Sequence, residues 1–540
     1  MKVDKLTAKI AFIIWLVLNI LCMYNVHFYP PAGYSANTFA TLSKIVQFIY
    51  IYFVINIARR VYTNRHNPDV KDEICVFLAY FVPVILLFTF FWPGTWSWDD
   101  VFIISGTQWW NPSAWQHFFS GFMQIVFLLN IPCVAGVVIQ QIFVASLIVA
   151  YCIPRVARLF AKTSRQRKIY ISLLLLPCFF PPMLVYIYAG YRIGIYCYLE
   201  LLLLCYLLLS TNLASGVKFY PWFVVSLTSV VASWRSEAFY YPFVVFVILL
   251  LHSHVKKEYI RAVKILLLTV LFTFAIGKIN NRLIGNDNYT VISVVNPITD
   301  IVRIVDEEKF ATELQQIDKV INIDLIKTTN FSGVALFWRD MPNFIRYDHS
   351  QTEYRAYLSA CIRLIFAYPK TALDCMTNYF VRTSGVAGWS EGKLRASGMY
   401  ICALDRKGLY DDTVQPGKSF TSIRSPLKKP LFSKRLREKA ILHLLCLDEN
   451  RQAKWLYFVF YNHWIPFLLL LLGMIYCLCK RDWTYFWLYA LVSARVVPVF
   501  LTALSCFFFY YLSSYFCGYF LSFLMLVRFL AWKNSKQKID

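Results

Sequence analysis

The sequence predicts an all-α polytopic membrane protein, and three observations carry that prediction. Hydrophobic residues fill 59% of the 540 positions and charged residues only 16%. The mean hydropathy of +0.52 is well beyond what the core of a soluble domain of this size needs. The apolar residues fall in runs close to the roughly 20 residues with which a helix crosses a bilayer. Lys and Arg are concentrated in alternate connections, as in chains oriented by the positive-inside rule.

In order along the chain, candidate spans lie at 9–28, 40–59, 74–92, 132–153, 168–188, 191–210, 219–234, 237–252, 261–279, 455–479, 483–503 and 506–531, about twelve by the length criterion. The first follows Met1-Lys2-Val3-Asp4-Lys5, is long enough to span, and lacks a small-x-small cleavage site, so it reads as a membrane helix and not a removed leader. The two runs flanking Trp234 to Glu237 are short and read as two spans, one kinked element or a re-entrant hairpin. Three regions follow: an N-terminal transmembrane module (1–280), a polar segment of mixed charge and helical pattern (281–454), and C-terminal transmembrane helices with a short tail (455–540). The polar segment is long enough to pack a modest core of its own.

The connections "ARRVYTNRHNPDVKDE", "PRVARLFAKTSRQRK", "HSHVKKEYIRAVK" and "CKRDW" and the tail "WKNSKQKID" are basic, whereas residues 93–117 contain no Lys or Arg. Placing the basic side in the cytoplasm puts both termini there, and puts the 93–117 loop and the 281–454 segment outside. The net charge of +24 then comes from loops that meet anionic headgroups, and nucleic acid is not required as a partner. Most of the 15 cysteines sit in apolar runs as small hydrophobes. Cys361, Cys375, Cys402 and Cys446 fall in the polar segment, where an extracytoplasmic location would permit disulfides of undetermined pairing. No Walker lysine loop, HExxH, GxSxG or dinucleotide fingerprint occurs, which leaves ATP-driven transport, zinc proteolysis and nicotinamide chemistry without support.

The residues that could carry chemistry gather on the predicted outer side. Asp99 and Asp100 stand in "FFWPGTWSWDDVFIISGTQWW", directly after an apolar run. Paired carboxylates there are costly unless they bind, ionise or pair; a helix N-terminus capped by Ser97 or Asp99 fits the same letters. The loop has five tryptophans from Trp96 to Trp115 followed by Gln116 and His117. Trp96 and Trp98 fit an interfacial belt as well as a platform for sugar rings. His117 reads as a hydrogen-bonded interfacial residue or a substrate contact. Arg192 and Arg235 are cations on the side where the rule expects none, which calls for an acidic partner or an anionic ligand. Glu237 is close enough to pair with Arg235, while Arg192 has no acid in its turn and would snorkel to headgroups or hold a phosphate.

The order of these features resembles the GT-C superfamily of polytopic glycosyltransferases. "WPGTWSWDD" followed by "WNPSAWQHFFSGFMQIVFLLNIP" is similar to a pattern in bacterial membrane families of that group, and "SWRSEAFYYPFVVFVILLL" and "CIRLIFAYPKTALDCMTNYFVR" resemble later segments of theirs. The chain departs from the pattern at Tyr191-Arg192-Ile193, at His117-Phe118 and in the final helix. The resemblance implies a GT-C-like fold in the cytoplasmic (inner) membrane. It also implies inverting transfer of a sugar from a polyprenyl-phosphate donor to an extracytoplasmic glycan, lipid or protein acceptor. Under it, Asp99 or Asp100 is the base, Arg235 with Arg192 holds the donor phosphate, and Trp96, Trp98, His117 and Glu237 contact substrate. A divalent cation, Mg or Mn, is compatible with the acidic pair and not required. A polysaccharide polymerase or ligase is the nearest rival. A lipid-linked-sugar flippase or transporter would be expected to show internal repeats and charged helices near the midplane, whereas the unusual charges singled out here gather at one interface and no internal duplication stands out.

Overall fold

A computed structural model gives the fold and describes residues 5–23, 34–96, 103–104, 107, 110, 116–212, 215–256, 258–284, 289–346, 348–384, 430–450, 452–502 and 507–536. It divides into two compact units, Met1–Gly285 with Tyr400–Ser493 and Leu512–Asp540, and Asn286–Met399 with Ala494–Tyr511. Each is taken by itself.

The first unit begins with α1 (Lys5–Met23), α2 (Tyr34–Thr63), α3 (Pro68–Phe91), α4 (Phe118–Asn130), α5 (Val134–Arg158) and α6 (Ser164–Leu175). It continues with α7 (Pro181–Ile187), α8 (Arg192–Thr211), α9 (Pro221–Trp234), α10 (Tyr241–Lys256) and α11 (Tyr259–Ile284). Their boundaries follow local chemistry. Asn67 accepts the Asp69 N–H at 2.8 Å and Pro68 fills the first position of α3. Thr163 and Gln166 close a capping box on α6. Pro177, Pro181 and Pro182 remove donors where α6, through a short 3₁₀ turn, gives way to α7 at a 63° bend.

α5 packs on α3 and α8, and α9 on α11. Within its most apolar window α8 is 89% buried and α11 only 17%, so α8 is the axis of the unit and α11 lies at its rim. Later come α19 (Lys434–Leu444), α20 (Trp455–Phe460), α21 (Trp464–Cys479), α22 (Trp483–Ser493) and α24 (Leu512–Lys536). α21 packs on α22 and α24, and α24 reaches α8. α19 falls inside the 281–454 stretch assigned to the polar segment, yet packs on α3 and α7 of this unit.

The second unit holds α12 (Tyr289–Ile292), α13 (Val295–Val302), α14 (Ala311–Asp318), α15 (Ile323–Thr328), α16 (Gly333–Phe344), α17 (Gln351–Ala367), α18 (Pro369–Thr383) and α23 (Val496–Thr502). Its core is apolar, with Ile298, Ile301, Ile317, Tyr357 and Leu364 at its centre. Cys361 is a buried free thiol there and Cys446 a buried free thiol in the first unit, while Cys402 lies outside the described residues.

Over their described residues the predicted runs are mainly helical, but the count of twelve spans is corrected. Among the described residues eight helices are long and apolar enough to cross a membrane, or nine if the bent pair Ser164–Phe179 and Pro181–Ile187 is one span. Besides that bent pair, three predicted runs are not among the eight: α1, and α9 and the Ser236–His252 stretch, which are shorter than a bilayer requires. α4, outside the twelve predicted runs, is too short as well. These helices make the chain a multi-pass membrane protein.

At the basic end of the first unit, three arginines converge on one carboxylate. Glu73 lies 2.6 Å from Arg155, 3.7 Å from Arg60 and 4.0 Å from Arg158, and Asp69 takes a second contact from Arg158 at 2.5 Å. Arg155 and Glu73 are 12% and 14% exposed and Arg60 is 54% exposed, so the pairs differ in worth. Glu73→Gln is expected to lower stability by about 2–3 kcal/mol, between the exposed and buried limits for ion pairs, and Arg60→Ala by no more than about 0.5 kcal/mol. Thermal unfolding of the purified variants in detergent checks both; equal losses would contradict the ranking.

Candidate functional site

The carbonyls of the break between α7 and α8 have no helical partners, and in an apolar surrounding each needs a donor from elsewhere. Side chains and loops of other elements supply them. Thr95 Oγ1 donates to Val185 O at 2.7 Å and the Thr95 N–H to Tyr188 O at 2.9 Å. The Gln141 amide on α5 donates to Tyr186, Ile187 and Ala189 at 3.2, 3.4 and 3.1 Å, and the Gln124 amide on α4 to Gly190 at 2.9 Å. Six consecutive carbonyls are thereby satisfied.

The same break receives the start of the 93–117 loop. Gly94, at φ +132°, takes a backbone conformation that a side chain would strain, and Arg437 of α19 donates to its carbonyl at 3.0 Å. Trp96 is fully buried, its indole N–H donating to Pro93 O at 3.0 Å and its ring lying on Gly190, where an added Cβ would stand 2.2 Å from Cη2. The ring is therefore packing material in this structure. Farther along, Trp110 is buried with Phe39, Ala40, Ile125 and Leu129. Trp98, Asp99 and Asp100 lie outside the described residues, and with them any cation site on the acidic pair. Among the described residues no three His, Cys, Asp or Glu side chains gather as metal ligands.

The loop ends at His117, which caps α4. Its Nδ1 accepts the Phe119 N–H at 3.3 Å, and the Phe118 N–H goes to Asn280 of α11 at 2.9 Å. An Nδ1 that accepts is unprotonated, so the neutral ring carries its proton on Nε2. Nε2 is buried and has no hydrogen-bond partner. Burial, helped by the nearby Arg192 charge, pushes the imidazole down from its ordinary 6.5 to about 3.

Arg192 opens α8 and is partly buried. Its Nε is buried without an acceptor, and among the described residues no acid pairs with it. Trp234, the last residue of α9, joins the two helix starts: its N–H donates to Ser120 Oγ at 3.1 Å, and its ring meets Phe119 and Tyr196 edge-on at 5.9 and 6.3 Å between centroids. Arg235 follows directly, 2% exposed, and grips Glu237 as a fork, Nη2 to Oε1 at 2.6 Å and Nε to Oε2 at 3.2 Å. The structure thus brings Trp96, His117, Arg192 and the Arg235–Glu237 pair to one end of the unit, and separates a compensated arginine from an uncompensated one.

Sequence reasoning missed Thr95, Gln124, Gln141, Arg437 and Glu200. Glu200, 1% exposed, accepts the Tyr241 hydroxyl hydrogen bond at 2.6 Å inside α8. As the sole charged residue between 193 and 210 it carried a readable signal; the glutamines did too, as amides inside apolar runs.

Comparison of the chain with protein-family models, with curated proteins and with solved structures finds no match.

Gly190→Ala is expected to cost about 3 kcal/mol by driving Trp96 from its seat, and to cost less in a Trp96→Phe background; additive losses in that double-mutant cycle would refute the contact. The imidazole of His117 makes stability depend on pH. Between pH 6.5 and about 3 the unfolded chain takes up a proton that the folded chain refuses, so stability is lost as pH falls through that window. His117→Asn keeps an N-cap acceptor and does not titrate. The stability of wild type relative to His117→Asn should therefore decline between pH 7 and 4.5, and a constant difference would show an imidazole that titrates normally.

Proposed function

We propose that the chain is a membrane glycosyltransferase that moves a sugar, with inversion, from a polyprenyl-phosphate donor to an extracytoplasmic glycan, lipid or protein acceptor. The observation that carries this reading is the convergence, around Trp234, of two arginines and a neutral histidine next to the anchored start of the loop that bears Asp99 and Asp100. The Lys and Arg asymmetry of the loops supports a cytoplasmic-membrane orientation with both termini inside and this end outside. Nucleotide sugars are not supplied there, whereas a lipid-linked donor arrives laterally from the bilayer.

The reaction asks for two things. An acceptor hydroxyl oxygen attacks the anomeric carbon as the bond from that carbon to the phosphate oxygen breaks. The hydroxyl proton passes to Asp99 or Asp100, and the bonding electrons leave with the polyprenyl phosphate. Negative charge growing on the phosphate is met by guanidinium groups, Arg235 and Arg192, in a site depleted of water. Glu237 holds the Arg235 plane at a fixed angle. A divalent cation on the acidic pair, if bound, would add to that charge stabilisation.

Purified protein given polyprenyl-phosphate sugars in nanodiscs should release free polyprenyl phosphate and glycosylated acceptor. Asp99→Asn or Asp100→Asn, whichever removes the base, should lower the rate by about 100-fold or more with donor binding intact. No donor consumption by wild type, or full rates in both variants, would refute the reading and make the aspartates a helix cap.

A further inference from the structure

Five of the shielded arginines share a pattern. Arg155, Arg158, Arg167, Arg235 and Arg528 each stand within 3.0 Å of a carboxylate oxygen, though all are largely shielded from water. Arg192 has no such partner among the described residues, and it occupies the first position of a twenty-residue helix. That end of a helix carries partial positive charge, so a cation there is electrostatically misplaced. Tyr191 provides no side-chain cap to offset it. A buried guanidinium N–H without an acceptor adds the desolvation cost of an unmade hydrogen bond.

His117 presents the matching half. Its Nδ1 is committed to the α4 backbone, which fixes the proton on Nε2, and that N–H is buried with nothing to receive it. Both residues are held in place by their neighbours and not by each other. Gln124 ties α4 to Gly190, two residues before Arg192, and Trp234 contacts Phe119 and Ser120 in the first turn of α4 and Tyr196 in the second turn of α8. Proximity is also felt electrostatically, since the Arg192 charge helps keep the imidazole neutral. Two unpartnered donors, one of them cationic, beside a helix N-terminus are chemistry suited to an anion.

We infer that Arg192 and the Nε2–H of His117 form a receptor for one phosphate-type oxyanion, the phosphate of an isoprenoid lipid, with Arg235 kept apart by its fork to Glu237. The receptor stands on the unmet donors alone; the choice of a lipid-borne phosphate rests on the glycosyltransferase reading. In this assignment the leading phosphate contact passes from Arg235 to Arg192, and His117 becomes a neutral hydrogen-bond donor to the leaving group.

The test is equilibrium binding of farnesyl monophosphate to the full chain in phosphatidylcholine nanodiscs, with farnesol and inorganic phosphate as competitors. Wild type should bind, and Arg192→Met and His117→Asn should each weaken binding by about tenfold or more. Because asparagine retains the N-cap acceptor, His117→Asn should keep its thermal midpoint at pH 7 within a few degrees, which separates the capping role from the ligand role. Absence of binding to wild type, or binding by both variants within twofold of it, overturns the receptor. Competition by inorganic phosphate as strong as by farnesyl monophosphate supports the receptor and overturns the lipid as its source. Binding as described without any sugar transfer keeps the receptor and overturns the enzyme.

Discussion

The fold of the first unit depends on how the unwound stretch between α7 and α8 is satisfied. A helix that stops inside a membrane protein leaves carbonyls that water cannot reach, and each would cost on the order of several kcal/mol if left bare. Here Thr95, Gln124 and Gln141 cover the carbonyls of residues 185 to 190. The donors come from the loop after α3 and from α4 and α5. The same bonds that permit the break therefore also fix the positions of three other elements against it. Arg192 sits where it does because the chain can re-enter a helix only after those carbonyls have been paid.

A consequence is an asymmetry between the two ends of the unit. At the basic end, arginines are neutralised by Asp69, Asp72 and Glu73 in a network, and its work is to close the connections between helices. At the other end Arg235 is paired with Glu237, whereas Arg192 has no acid beside it among the described residues. Ion pairs of the first kind are structural by their own arithmetic, since a partner removed leaves a shielded charge. An uncompensated arginine has no such internal account, and its charge remains available to whatever enters.

Much of the helical content was legible because membrane helices announce themselves by length and apolarity. The run at 168–188 was legible as apolar and illegible as broken, although Pro177, Pro181 and Pro182 stood in it; proline signals a bend only where neighbours re-satisfy the backbone. The 13 residues of α4 are too few to read as a span, and the run 237–252 reads as a span, half of a kinked element or half of a re-entrant hairpin because its apolar content is high and its length short. At the site, the Arg235–Glu237 pair could be read from its spacing. That the Arg192 charge reaches His117 could not, since the two are far apart in sequence and are linked through Trp234 and Gly190. A tautomer fixed by a backbone N–H leaves no mark in the sequence.

That tautomer bears on how a phosphate leaving group would be handled. A histidinium beside Arg192 would place two cations together, which burial opposes; the imidazole is accordingly neutral, and its attraction for an anion is a directed hydrogen bond and not a second charge. One full charge from Arg192 and one oriented donor from His117 balance a phosphate monoester only in part. Under the proposed reaction the remainder would become more valuable as charge accumulated on the departing lipid phosphate, and interactions that grow in that way accelerate a reaction whereas uniform binding does not. Arg235, already matched by Glu237, adds a dipole of fixed direction more than a net charge. The division of labour between a free and a tethered arginine would let the site release its product, because two uncompensated arginines would hold polyprenyl phosphate too firmly for turnover.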